Sequence, residues 1–351
     1  MRHPFARNAS AVAVLAVLTL AVHAPVSTAG AAAAGQVGSE VEVRPRVLPR
    51  GAAPEISWLA ANLVHMPDGR VHRFPWTGRA AVSRDLTLRG RTTAGWVVTD
   101  HDAGIGTRAW VVDGAERREI DLASDNNDEH TFMVARDGTA LLKREFTQDF
   151  ASVMVTRVSD GATLGSEDFE GDGRVLDFSG AQALLGVDGG SVLWEPGGDT
   201  IDVGAVAVAG DIAHDVLVVP GDVAGFVGPT TLSEPGAPAW TAPLERVEVS
   251  PDGRFLLGLV TGGDTDGRHI EVRRLSDGRL VSAYHVRNLW RLTVQWESPR
   301  SIIFLAARTG LGDVNALVHC GFDGTCTRAT AWRELRSISM VHPPQIVRNL
   351  S

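Results

Sequence analysis

The side chains that could do chemistry in this chain are carboxylates, and they recur at the breaks between apolar runs. Asp100 and Asp102, Asp149, Asp188, Asp222, Asp264 and Asp266, and Asp313 each stand in such a break. Two further acidic stretches hold Asp125, Asp128 and Glu129, then Asp168, Glu170 and Asp172. Carboxylates gathered on one surface attract cations or a basic partner. A pair held about 5 to 9 Å apart can also act as acid and base on a glycosidic bond. The plain reading is that aspartate is a common turn residue. The stretch 168–173, DFEGDG, has the opening spacing of a calcium loop, but Ser179 stands where the twelfth-position glutamate belongs. No metal and no cofactor is therefore expected.

The other reactive groups point away from catalysis. None of the 11 histidines stands at metal-ligand spacing from another. His130, His214 and His285 lie near the ends of apolar runs, where a structural imidazole is the ordinary role. HExxH, GxSxG, P-loop and Rossmann patterns are all missing, so no catalytic residue is nominated. Nine tryptophans accompany a single tyrosine, Tyr284. They could stack on sugars, but most sit inside strand patterns and read as core. Cys320 and Cys326 flank the turn 321–325. Directly opposed residues of an antiparallel pair have Cα atoms about 4.5 to 5.5 Å apart, which suits a disulfide.

The elements that position these groups are β-hairpins. The clearest is 247–260, VEVSPDGRFLLGLV: an alternating limb, a Ser-Pro-Asp-Gly turn, and an apolar run that does not alternate. A strand apolar on both faces belongs inside a stack of sheets. A second hairpin type recurs seven times, with turn glycines at Gly69, Gly114, Gly161, Gly198, Gly236, Gly278 and Gly324. Their spacings of 45, 47, 37, 38, 42 and 46 match propeller blades of about 40 to 50 residues. Two hairpins per unit make four strands, so the chain reads as an all-β, seven-bladed β-propeller of four-stranded antiparallel blades. The first unit lacks one strand, and a spare strand lies at 337–341. The C-terminal strand is therefore expected to close the first blade.

The stretch VSPDGRFLL, 249–257, resembles the repeat of WD40-like and TolB-like propellers, and the whole pattern is similar to secreted seven-bladed propellers of high-GC actinobacteria. That resemblance implies a fold and a habit of binding rather than a reaction. The GH and WD dipeptides of WD40 repeats are missing.

Residues 1–34 read as a secretory signal peptide: Arg2 and Arg7, an apolar run of twelve at 11–22, then small residues. Twelve apolar residues are too few to cross a bilayer, so no transmembrane segment remains after cleavage. A linker at 35–53, the propeller at 54–345 and a tail at 346–351 complete the division. Net charge is −9, which gives no reason to bind nucleic acid. The sequence thus describes a secreted, monomeric, non-enzymatic binding or scaffold protein whose acidic loop face meets a protein or cell-envelope component. The rival reading is a glycan-active lyase or hydrolase with carboxylates at the channel mouth.

Overall fold

The turn at 250–253 shows how the sequence builds a blade. Ser250 accepts on its Oγ the N–H groups of Arg254 (3.0 Å) and Phe255 (2.9 Å) and donates to Asp252 Oδ1 at 2.7 Å. Gly253 sits at φ +68° against the His214 ring, where a Cβ would come within 2.5 Å. The chain then reverses from Leu244–Val249 into Phe255–Val260. Arg268–Arg274 and Leu280–Val286 follow, each antiparallel to the strand before it.

The computed structural model describes residues 38–60, 63–74, 85–102, 106–113, 116–120, 129–146, 149–260, 268–287, 289–308, 314–333 and 338–340. They form seven blades in a ring, numbered here from the first to appear in the sequence. The stretch read as the signal peptide lies outside the described residues. Among the described residues no helix is long and apolar enough to cross a membrane.

Blade one is closed from both ends of the chain. Trp58–Ala60, Leu63–His65 and Val71–Arg73 supply three strands, and Ile338–Met340 pairs antiparallel with the first, Leu59 opposite Ser339. Blades two, three, four and seven have four strands each. Blade five has three: Ala209–Asp211, Val216–Pro220 and Val227–Thr231. The sequence 229–243 reads as a full hairpin, yet its second limb forms no strand and is joined to the third by the bridge Val227↔Ala242 and by Ala239 N–H donating to the Pro229 carbonyl at 3.0 Å. Pro235, Pro238 and Pro243 carry no N–H to offer a ladder, so that limb covers the edge as irregular chain.

Blade six gains a fifth strand. Ser39–Val43 runs parallel to Leu280–Val286 on its outer edge, with Val41 opposite Tyr284. The chain then crosses to blade seven, bridging Arg50 to Arg328, before entering blade one. This belt lies within the stretch read as a linker.

The hydrophobic core lies between blades. Leu184 and Leu185 are consecutive and both buried, yet Leu184 packs toward blade five and Leu185 toward blade three. Val97 and Val98 divide in the same way between blades three and one. Successive side chains leave opposite faces of a strand, so consecutive apolar residues of a middle strand are both buried, each against a different blade. Trp58, Trp96, Trp110, Trp194 and Trp296 are all buried in these layers.

Candidate functional site

Residues of blades three to six, mostly on their innermost strands, line an open cavity of about 450 Å³. Aliphatic wall comes from Met133, Val175, Leu176, Val208, Val247 and Val249, and charge comes from Arg136, Arg144, Arg174, Arg246, Asp177 and Glu248. Arg136 ties three blades together. Its guanidinium reaches Asp177 of blade four at 3.3 Å and Asp211 of blade five at 2.9 Å, both buried. Asp211 also accepts from the His214 backbone N–H (3.1 Å) and lies 3.0 Å from its Nδ1, while Asp177 accepts from Ile212 N–H at 2.7 Å. Burial alone would lower the Arg136 pKa, but the two aspartates outweigh it, so the group is held charged. Burial pushes the Asp177 carboxyl up, against the pull of Arg136.

Arg246 and Glu248 are positioned by an irregularity in their strand. The pairing of Leu244–Val249 with its neighbour slips between Glu245 and Glu248, and within that bulge Arg246 takes φ +50°. Arg144 donates from Nε to the Asp172 carbonyl at 2.5 Å. Glu248 is half-buried in the wall, and burial pushes its carboxyl up to about 8, against the smaller opposing pulls of the Trp296 backbone N–H and Arg136.

The acidic residues read as a binding face have several fates. Asp149, Asp188 and Asp222 are exposed, as are Asp168, Glu170 and Asp172. Three of these loops are joined: Gly171 N–H donates to the Asp149 carbonyl and Asp188 N–H to the Glu170 carbonyl, both at 3.1 Å. The loops that carry Asp149, Glu170, Asp172 and Asp188 therefore stand together where blades three and four meet. Asp100 does not belong with them. It lies within the strand Gly95–Asp102, paired on both sides with Leu86 and Arg108, and is 2% exposed. Its strand runs on through the residues read as a loop because both neighbours keep register that far. Asp102 ends the same strand and its side chain lies outside the described residues, as do Asp264, Asp266, Asp313, Asp125 and Asp128.

At blade seven, Cys320 and Cys326 are disulfide-bonded, directly opposed in register with Cα atoms 4.2 Å apart. Nearby, buried Glu297 accepts from Glu55 N–H at 2.8 Å and is hydrogen-bonded to His319 Nδ1. That bond raises the His319 pKa. His214 and His285 keep structural partners, Asp211 and Glu40 (2.8 Å); the His130 side chain lies outside the described residues.

Sequence reading passed over the arginines of the cavity. Arg174 opens and Arg246 interrupts the first strand of its unit, and a polar residue on an innermost strand was the available signal. Arg89 also stands on a first strand but does not line this cavity. Burial lowers Arg89 to about 10, and its guanidinium lies over the Phe132 ring at 5.9 Å.

No protein-family model and no curated protein matches the sequence. Solved structures do. A chain of the mitotic checkpoint complex is 13% identical over 92% of this chain and 90% of its own, with a TM-score of 0.50. A functionally unknown protein from Desulfotomaculum acetoxidans is 9% identical over 82% and 99%, with a TM-score of 0.49. TolB from Acinetobacter baumannii is 11% identical over 75% and 67%, with a TM-score of 0.42. At such identities the likeness is one of fold, a β-propeller, and no activity travels with it.

Proposed function

We propose that this chain is an exported, non-enzymatic binding propeller whose acidic loop face meets a protein or cell-envelope component. The observation that carries the reading is the joined loop cluster at blades three and four. Backbone bonds hold Asp149, Glu170, Asp172 and Asp188 on one exposed surface, so their charges are fixed before a partner arrives. A preset acidic surface speeds encounter with a basic partner and orients it. Export is supported by the apolar run 11–22 and by the Cys320–Cys326 bond, which persists in oxidising compartments.

The test is capture from cell-envelope fractions with residues 35–351, beside a variant carrying Asp149→Asn, Glu170→Gln and Asp188→Asn. The reading expects a component held by the native chain, released by salt, and lost from the variant. Equal capture by both proteins would overturn it.

A second reading rests on one feature of the cavity. Glu248 holds its proton near neutrality and Asp177 shares the same wall, so a proton donor and a second carboxyl face one space. Under this reading the chain cleaves a glycan, and Glu248→Gln abolishes product release. The absence of new reducing or unsaturated ends from a panel of acidic polysaccharides counts against it.

A further inference from the structure

We infer that the cavity lined by blades three to six is a binding site for a small organic acid bearing two or more carboxylate or phosphate groups. Two observations converge on it, and neither concerns the acidic loop face.

The first is the balance of charge. Arg136 is already committed to Asp177 and Asp211. Among the described residues, the side chains of Arg174 in blade four and Arg246 in blade six have no hydrogen-bond or ion-pair partner. Arg144 adds further positive charge. Of the two acids that line the cavity, Asp177 is held by Arg136, and burial pushes the Glu248 carboxyl up to about 8. Arg174 and Arg246 are exposed and Arg144 is buried. Guanidinium groups bind carboxylate and phosphate through paired N–H donors.

The second is backbone strain. A non-glycine residue at φ +50° is disfavoured, and a bulge on an innermost strand re-aims the side chain it carries. Arg246 occupies that position where glycine or asparagine would fit without cost. The strain is explained if the direction of this guanidinium matters. The space is also of the right kind: about 450 Å³ lies within the range of small-molecule sites, and Val175, Val208 and Val247 offer apolar wall to a carbon frame.

The experiment is thermal unfolding and calorimetric titration of residues 35–351 with citrate, with pyrophosphate, and with sucrose as the neutral control. Submillimolar anion in 150 mM salt avoids general salting effects. The native protein is expected to show a midpoint raised by about 3 °C or more with one or both anions and unmoved by sucrose. The double variant Arg174→Gln with Arg246→Gly is expected to lose that rise. Its own midpoint without ligand should be equal to or above the native value, because glycine relieves the strain. Citrate and pyrophosphate distinguish a carboxylate ligand from a phosphate one. No rise with either anion, or an equal rise in the double variant, would overturn the assignment.

Discussion

At the scale of single residues, Glu248 shows what the cavity does to a charge. Its carboxyl is pushed up from 4.5 to about 8 by burial. In the folded protein at pH 7 it keeps its proton, whereas in the unfolded chain it has lost it. The folded state therefore binds more protons between those two values, and stability falls as pH rises through that window. His319 acts in the same direction, since Glu297 raises its pKa above 6.5 and its contribution fades once the pH passes the folded value. The unfolding midpoint should fall by a few degrees between pH 5 and pH 8. In Glu248→Gln the slope should flatten, with a gain on the order of 1 to 3 kcal/mol at pH 8 after allowance for solvent reaching a half-buried group. A variant whose pH profile matched the native one would show that Glu248 ionises freely. The cysteine pair was legible in the sequence because spacing and turn length are local. The orientation of Arg246 was not, because a bulge is decided by a neighbouring strand rather than by the residues beside it.

At the scale of elements, the same contrast separates hairpins from belts. A hairpin announces itself through its turn: Gly69, Gly161, Gly278 and Gly324 all adopt positive φ where the sequence places turn glycines. In blade four the left-handed position falls on Gly197, one residue before the expected Gly198. The strand Ser39–Val43 has no such marker. Its partner Leu280–Val286 lies far along the chain, and parallel pairing leaves no turn between them. The belt approaches blade six closely, and a Cβ at Gly38 would fall 2.6 Å from the Val281 carbonyl carbon. Gly38→Val should therefore lift the belt at its start. The expected cost is about 1 to 3 kcal/mol in urea unfolding, with faster hydrogen exchange at 280–286. Native exchange rates in that strand would mean the belt is not held there.

At the scale of the whole molecule, closure turns separate local features into one cavity. Arg174 and Arg246 come from blades four and six and share a wall only because the ring brings their strands around one axis. The number of blades was legible because the turn repeats; the lining was not, because no local pattern says which residues face an axis that exists only after folding. The closing contact is the pairing of Ile338–Met340 with Trp58–Ala60, and Met340 and Trp58 share one buried cluster with residues of blades six and seven. Removing that strand leaves backbone groups of blade one unpaired and opens the core beside it, at about 1 to 3 kcal/mol for each buried group left without a partner. The most direct measurement is thermal unfolding of a chain ending at residue 333 beside the full-length chain. A midpoint lowered by many degrees, with faster hydrogen exchange in blades one, six and seven together, is the outcome closure predicts. An unchanged midpoint and unchanged exchange would contradict it.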